Sequence, residues 1–258
     1  TLYFPTIERI LNEENMPNDF KYLSIQESAL ISTAKSSSNA FGFWQFKEET
    51  AKDHGLVINR SVDERSNIVS STYAACSYLK ENNFYFDNWL YSLLSYMTGL
   101  TGAKSITDKK MYGSQRMKIN KDTHWYIKKF IAHKIAFQGE LNYKNVEGLS
   151  LEEYSSIRNK SLKKISKELK VDYNLLLSYN KWSKSNMIPD NKDYPVIIPL
   201  KKGSFIYRYG QIIGIASIDI SVGEHVHSHN LVFTEFEREI TNKTNNKESI
   251  INSDICFK

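Results

Sequence analysis

The stretch that decides the fold runs from residue 21 to residue 46 and reads KYLSIQESALISTAKSSSNAFGFWQF. Apolar residues recur at helical spacing in its first half, and its second half ends in the turn-like, aromatic-rich GFWQF. Glu27 is an acidic residue inside the apolar-periodic part. Burial disfavours the charged form of a carboxyl and raises its pKa, which is what a general acid for glycosidic bond cleavage needs. Glu27 is therefore the candidate catalytic residue.

Length and composition allow one sizeable core and a small satellite domain. The chain has 258 residues, of which 41% are hydrophobic and 13% aromatic. Its net charge of +5, from 34 basic and 29 acidic residues, is too dilute to indicate nucleic acid, and we expect no nucleic-acid partner. The charge would favour an acidic polymer such as a cell-wall glycan, although a solvated, mildly basic surface is the more ordinary interpretation of it.

The cysteines and the beginning of the chain bear on processing. Cys76 sits in a helical pattern and Cys256 in a polar tail, which argues against a structural disulfide. No apolar run reaches the roughly 18 residues of a membrane span. The chain starts inside an apparent helix without Met, so we expect a processed or truncated product whose export signal precedes Thr1. Membrane association through such a missing N-terminus stays open.

Helical periodicity dominates the first half and predicts a mainly α domain over residues 1–138. The predicted helices are FPTIERIL, FKYLSIQESALI, SNIVSSTYAACSYLKE, NWLYSLLSYMTGL and HWYIKKFIAHKIAF. Residues 63–66, DERS, predict a further helix start with acidic residues in its first turn. The predicted breaks between segments are Asn39, Gly42, Gly55, Gly99 and Gly102.

The second half changes character. A polar linker is predicted over 139–150, and residues 151–200 predict a βααβ unit from the strand-like EYSSI, the helical SLKKISKEL and DYNLLLSYN, and the strand-like YPVIIPL. Alternating, Ile-rich residues over 203–232 predict short strands with turns at Gly203, Gly210 and Gly223. Residues 233–258 are Asn/Lys-rich and predict a frayed polar tail.

Ordered blocks over residues 1–138 resemble the membrane-bound lytic murein transglycosylases of the D type. The blocks are KYLSIQESAL, TAKSSSNA, GFWQF, HGL, VDER, the W-x-x-x-L-x-S-Y-x-x-G run at 89–99 and DTHWYIKKFIA. The resemblance implies a lysozyme-like α domain that acts on peptidoglycan glycan strands. It further implies export to the periplasm or cell envelope and a reaction without a cofactor.

The resemblance also assigns site residues. Glu27 takes the position of the family's sole catalytic acid and base, which cleaves the bond between N-acetylmuramic acid and N-acetylglucosamine without adding water and leaves a 1,6-anhydro ring. Ser28, Gln45, Tyr96 and Tyr126 match family positions at the sugar cleft or close to the carboxyl, and are the expected substrate-binding residues. For aromatic residues among these blocks, ordinary core packing is the competing interpretation.

Departures from the family pattern keep an alternative function open. Met97 stands where the family has Asn, and Asp122-Thr123-His124 replaces its Glu-Thr-Arg. A polar sugar contact is therefore missing. The alternative is a catalytically impaired peptidoglycan-binding protein.

Residues 161–200 resemble a LysM module, a small βααβ unit that binds chains containing N-acetylglucosamine. The closing Ile-Pro and the Asn180 turn match, whereas the usual Gly-Asp before the first helix is replaced by Arg158-Asn159-Lys160. A packing domain without a glycan site is the competing interpretation.

The stretch 205–232 resembles the second half of the SAF-type domain of altronate and galactarate dehydratases, with GEHVHSHN as its most specific motif. His225, His227 and His229 alternate, so a strand would present them on one face as weak candidates for metal ligands. A solvated histidine strand is the competing interpretation, and we expect no metal in the main site. A small regulatory or ligand-binding role for this end stays open.

Overall fold

The fold is described from a computed structural model, which covers residues 2–138, 148–155 and 157–201 in full and the backbone alone of 205–208, 211–216 and 231–232. Over these ranges, every helix is too short or too polar to cross a membrane.

The first part is helical, as predicted. Its elements are α1 (Phe4–Glu13), α2 (Lys21–Ser28), α3 (Glu48–Asp53), α4 (Ile68–Phe86), α5 (Trp89–Ile106) and α6 (Trp125–Gln138), with 3-10 turns at Asn18–Phe20, Glu64–Ser66 and Lys109–Met111. The short α3 was not predicted, because its sequence EETAKD buries Ala51 alone and carries no apolar repeat.

Helix ends differ from the prediction where local backbone conformation overrides apolar spacing. Helix α2 stops at Ser28 because Ala29 and Leu30 adopt left-handed φ angles of 51° and 61°. The helix start predicted at 63–66 is a short 3-10 helix, Glu64–Ser66, capped by Asp63, and it does not continue into an α-helix. Helix α4 starts after Asn67, whose side chain accepts hydrogen bonds from the next helical amides.

The predicted glycine breaks in α5 have different outcomes. Gly99 kinks the helix with φ 71° and ψ 164°, whereas Gly102 remains inside it. The kink lies directly after Tyr96 and Met97, at the point where α5 reaches the candidate site.

Helix α4 lies in the core of this part and packs against α1 and α5. Leu79 and Cys76 on α4 are fully or almost fully buried among apolar residues of the neighbouring helices. Cys76 is a free thiol whose pKa burial raises to about 12. Cys256 lies outside the described residues.

The next part is a βααβ unit, as predicted. Its elements are β1 (Leu149–Tyr154), β2 (Lys160–Ser161), α7 (Leu162–Leu169), α8 (Tyr173–Tyr179), β3 (Met187–Ile188) and β4 (Val196–Lys201). Strand β1 pairs antiparallel with β4, and β2 with β3. Strand β1 begins inside the predicted linker 139–150 and ends before residue 157, so its position is shifted from the predicted EYSSI.

The last described strands are β5 (Phe205–Arg208), β6 (Gln211–Ala216) and β7 (Leu231–Val232), which pair antiparallel in sequence order. Short strands were predicted here. The predicted turns at Gly203, Gly210 and Gly223, the histidines at 225, 227 and 229, and the tail 233–258 lie outside the described residues.

Candidate active site

A cleft of about 560 Å³ contains the candidate catalytic residue. It is lined by Glu27, Ser36, Ser38, Ala40, Gln45, Phe46, Lys47, Thr50, Tyr78, Tyr96, Met97, Thr98 and Gly99. These side chains come from the end of α2, from the loop before α3, and from α3, α4 and the kinked part of α5. The fold therefore brings Glu27, Gln45 and Tyr96 to one site.

Glu27 sits in the last turn of α2 with a half-buried side chain. Tyr126 Oη donates a hydrogen bond of 2.6 Å to Glu27 Oε1. Burial raises the pKa of the Glu27 carboxyl above its ordinary value, and the hydrogen bond from Tyr126 and the charge of Lys129 offset part of that increase. The raised pKa favours the protonated carboxyl, which is the form a general acid needs.

Tyr126 lies at the start of α6 and is buried beneath the cleft. Burial raises its pKa well above 10, and the nearby Glu27 raises it further, so the phenol stays protonated and acts as the hydrogen-bond donor to the carboxyl. The Tyr126 amide donates to Nδ1 of His124 at 3.2 Å. His124, at the family's Arg position, thus satisfies an amide at the start of the helix that carries Tyr126.

Ser28 is buried at the end of α2. Its Oγ lies 2.7 Å from the carbonyl oxygen of Phe43 and 3.1 Å from that of Ser24. The hydroxyl thus connects the end of α2 to the turn at 41–46. This contact holds two walls of the cleft together, and the substrate contact predicted for Ser28 stays a prediction.

Gln45 lines the cleft in a left-handed conformation with φ 50°. Its Nε2 donates to the carbonyl oxygens of Ala34 and Gly42, at 2.9 and 3.0 Å. These bonds orient the side chain against the loop that forms the cleft wall.

Tyr96 also lines the cleft, and its hydroxyl donates to the carbonyl oxygen of Trp44 at 2.8 Å. The Trp44 side chain is buried and its Nε1 donates to Thr72, so core packing is the correct interpretation of that ring.

Met97 lines the cleft with 38% of its surface exposed. An apolar thioether therefore occupies the place where a polar contact was expected.

Sequence reasoning missed several residues of the site. Tyr78 comes from the middle of α4 and packs edge-on against Tyr96, with ring centroids 5.3 Å apart. Phe46 lies near both rings, and Lys47 adds a positive charge at the cleft. No local pattern marks Tyr78, because its distinction from other helical tyrosines arises only from the packing of α4 on α5.

Charges at the cleft are few. Among the described residues that line it, Glu27 is the single acidic side chain. A second groove of about 550 Å³ shares Ser38 and Lys47 with the cleft and includes Asp63 and Arg65 in its lining.

Over residues 2–138, 148–155 and 157–201, no group of three His, Cys, Asp or Glu is placed to hold a metal ion. The candidate ligands His225, His227 and His229 fall outside these ranges.

Comparisons with known proteins agree with the sequence resemblance. Residues 4–119 match the Transglycosylase SLT domain family model. The chain is 32% identical over 128 residues to the membrane-bound lytic murein transglycosylase D of Escherichia coli strain K12, and equally to that of E. coli O6:H1. This match covers 47% of the chain but only 28% of each relative's length. The resemblance to lytic transglycosylases is thereby confirmed for the first part of the chain.

A solved structure of an inactive mutant of lytic transglycosylase Slt from Pseudomonas aeruginosa is also similar, with a TM-score of 0.41 and 17% identity over 53% of this chain and 24% of that chain. Residues 196–234 match the altronate/galactarate dehydratase SAF domain model, which confirms that second resemblance. The match begins at Val196, so it includes β4 of the βααβ unit as well as the strands that follow.

Proposed function

We propose that this chain is a peptidoglycan lytic transglycosylase that cleaves the β-1,4 bond between N-acetylmuramic acid and N-acetylglucosamine, with Glu27 as acid and then as base. The observation that carries the proposal is the environment of Glu27: a half-buried carboxyl at a 560 Å³ cleft, with a raised pKa and a hydroxyl donor at 2.6 Å. The match of residues 4–119 to the SLT domain model supports the same chemistry.

In the first step, the protonated Glu27 donates its proton to the glycosidic oxygen, and the bond from that oxygen to C1 of the muramyl residue breaks. The raised pKa keeps the carboxyl protonated to higher pH than an ordinary glutamate, because burial stabilises the neutral carboxyl relative to the carboxylate. The leaving sugar departs with a free hydroxyl.

In the second step, the muramyl 6-hydroxyl attacks C1 and closes the 1,6-anhydro ring, while the Glu27 carboxylate takes the hydroxyl proton. The hydrogen bond from Tyr126 stabilises the carboxylate between the two steps, because it favours the charged form. Tyr126 keeps its own proton, since its pKa is raised well above 10. Glu27 ends protonated and ready for another cycle.

The charge pattern of the cleft favours this route over hydrolysis. A two-carboxylate glycosidase needs a second acid roughly 5 to 10 Å from the first to act as nucleophile or as base for water. Glu27 is the single acidic residue among the described cleft-lining side chains. An internal hydroxyl nucleophile removes the need for a second carboxylate.

A catalytically impaired peptidoglycan-binding protein is the second candidate, and Met97 is the observation that favours it. The exposed thioether lies in the cleft and replaces a polar side chain that would contact sugar. Loss of one hydrogen bond to a substrate hydroxyl weakens binding and orientation without removing the general acid.

The remaining parts fit an envelope protein. We assign the βααβ unit a role on N-acetylglucosamine-containing chains, in line with its likeness to LysM modules, and place the chain in the periplasm or cell envelope, where peptidoglycan is the partner. No cofactor enters the proposed reaction.

The test is digestion of purified murein sacculi followed by mass spectrometry of the soluble products. A lytic transglycosylase releases muropeptides whose muramyl ends are lighter by one water than those from a hydrolase. Glu27→Gln should release none, since the amide cannot supply the proton. Tyr91→Phe removes a hydroxyl that contacts the Asp108 amide, away from the cleft, and serves as the matched control.

The outcomes separate the candidates. Co-sedimentation with sacculi without soluble products would identify a binding protein, hydrated muramyl ends would identify a hydrolase, and equal activity of Glu27→Gln and wild type would refute the role of Glu27.

A further inference from the structure

Arg65 occupies an unusual position between the cleft wall and the βααβ unit. Its side chain is buried and reaches in one direction toward the turn at 41–46, while its partner Asp63 contacts the βααβ unit on the other side. The sequence predicted a helix start at these residues, and they have no role in the proposed reaction.

The backbone of Arg65 supports the cleft turn directly. Phe43 donates its amide to the Arg65 carbonyl oxygen at 3.3 Å. A Cβ at Gly42 would lie only 2.0 Å from that same oxygen. The backbone of the turn therefore approaches Arg65 to a distance that only glycine permits. The turn carries Gln45 and Phe46, which line the cleft.

The guanidinium completes this support. Nε and Nη2 of Arg65 donate to the two carboxylate oxygens of Asp63 at 2.9 and 2.8 Å, a bidentate pair. Nη1 donates to the carbonyl oxygen of Phe46 at 3.3 Å, and the group lies 5.0 Å from the ring centroid of Phe41. Both ends of the turn therefore contact one side chain.

Asp63 transmits the contact to the βααβ unit. Its amide donates to the carbonyl oxygen of Trp182 at 2.8 Å, and its Oδ2 lies 3.8 Å from Lys184 Nζ. Lys184 Nζ also donates to the carbonyl oxygen of Asn59 at 2.8 Å. The neighbouring Val62 is fully buried in the core of the βααβ unit.

Adjacent contacts strengthen the same junction. Glu64 is fully buried, and its carboxylate accepts hydrogen bonds from Lys192, Ser70 and the Val57 amide, each within 2.8 Å. Asn67 donates to the carbonyl oxygen of Pro195 at 2.7 Å.

Apolar side chains of the βααβ unit also cross the junction. Leu151 and Ile197 of that unit belong to the core of the helical part. The two parts thus share their cores.

We propose that Arg65 is a positioning residue for substrate binding. It fixes the position of the turn at 41–46, which forms one wall of the cleft, and it couples the position of that turn to the docked βααβ unit. The βααβ unit then has a part in forming the cleft, in addition to any glycan binding of its own. The inference rests on the proposed function for its kinetic test only, because the support of the wall is measurable without turnover.

The decisive variant is Arg65→Lys in the full chain, which keeps the charge but loses the planar fork that meets Asp63 and Phe46 together. Arg158→Lys is the matched control, because Arg158 makes the same bidentate contact with Asp193 in an exposed position of the βααβ unit. Hydrogen exchange at the 41–46 amides should accelerate about tenfold in Arg65→Lys and stay unchanged in Arg158→Lys.

Kinetics on a soluble murein fragment supply the second readout. Gln45 and Phe46 line the cleft but take no part in the proposed proton transfer by Glu27. We therefore expect KM to rise about fivefold or more, while kcat stays within about twofold. A purely structural loss of folded protein would lower the apparent kcat and leave KM unchanged. Wild-type exchange and wild-type KM in Arg65→Lys would overturn the proposal.

If Arg65→Lys does not fold, Lys184→Ala tests the same coupling. This variant removes the side-chain contact of the βααβ unit with Asp63, the partner of Arg65. Lys160→Ala is its control, since Lys160 pairs with Glu168 within the same unit at 2.7 Å. Faster exchange at 41–46 in Lys184→Ala alone supports the coupling, and equal exchange in both refutes it. Absence of anhydro products from wild type would refute the proposed function but leaves this exchange experiment unaffected.

Discussion

Tyr126 donates a hydrogen bond of 2.6 Å to Oε1 of Glu27, and the two residues stand 99 positions apart in the sequence. The contact joins the first turn of α6 to the last turn of α2. It opposes the effect of burial on the Glu27 pKa, because burial favours the neutral acid and the hydrogen bond favours the carboxylate. A residue that must act as acid and then as base needs both influences.

Tyr126→Phe should move the pH dependence of the reaction upward. The variant removes a donor that lowers the Glu27 pKa, so that pKa rises further and the protonated acid persists to higher pH. We expect the alkaline limb of kcat/KM to shift to higher pH and kcat to fall about tenfold or more, since the carboxylate loses its partner. Rates on a soluble murein fragment across pH give both values, with Tyr91→Phe as control. If the alkaline limb of kcat/KM did not shift, that limb would reflect the titration of a group other than Glu27.

Glu27→Gln should stabilise the fold at neutral pH. The folded-state pKa is raised, so the folded protein binds a proton more tightly than the unfolded chain and stability falls as pH rises from the unfolded value through the raised folded value. Above that window the wild type buries a charge that the amide lacks. We expect the Tm of the variant to exceed that of wild type by about 1–3 °C.

The difference in Tm should disappear at pH below the unfolded value, where both side chains are neutral. Thermal unfolding of both proteins at neutral and acid pH measures it. An equal gain at both pH values would attribute the effect to packing and not to the carboxylate charge.

Met97→Asn should improve turnover if the thioether weakens sugar binding. The side chain is 38% exposed in the cleft, so the substitution should change the free energy of unfolding by less than about 0.5 kcal/mol. One regained hydrogen bond to substrate corresponds to roughly a tenfold gain in kcat/KM. Met97→Leu, which restores no polar atom, should match wild type. A lower kcat/KM in Met97→Asn would show that the cleft has adapted to an apolar residue.

Gly42→Ala should be far more costly than Gly55→Ala. Both glycines have φ +84°, but a Cβ at Gly42 would meet the Arg65 carbonyl oxygen at 2.0 Å, whereas a Cβ at Gly55 would meet no atom within 4 Å. We expect Gly55→Ala to cost about 1 kcal/mol from backbone strain alone and Gly42→Ala about 3 kcal/mol or more from strain plus overlap. Denaturant unfolding of the pair isolates the steric contribution. Similar costs would mean that the turn moves away from Arg65 without penalty.

The fold was predictable where apolar spacing is strong. Helices α1, α4, α5 and α6 follow their predicted segments, and the βααβ unit has its predicted order. Helix α3 was missed because its polar sequence has no repeat, and the helix start predicted at 63–66 is only a short 3-10 helix that ends before α4 begins. In the fold, Asp63 and Glu64 serve the junction between the two parts, a use that local sequence does not reveal.

The candidate site was predictable in its residue types and only partly in its contacts. Glu27, Gln45 and Tyr96 line one cleft, as the resemblance implied. Substrate binding by Ser28 and Tyr126 stays a prediction, and the contacts that the structure adds are those of Ser28 with the Phe43 carbonyl and of Tyr126 with Glu27. Tyr78 was not identified, and Arg65 was placed only in a helix start and a family block, because a residue's place beside a site depends on which helix faces pack together.

The sequence by itself determined the helical segments, the turn at 42–46 and the acidic residue inside an apolar pattern, since each depends on neighbours within a few positions. Tertiary structure alone decided the pKa environment of Glu27, the support of the cleft wall by Arg65 and the sharing of cores between the helical part and the βααβ unit. The physical reason is that exclusion of water and hydrogen bonding at Glu27 come from residues distant in the chain, which only packing brings within contact distance.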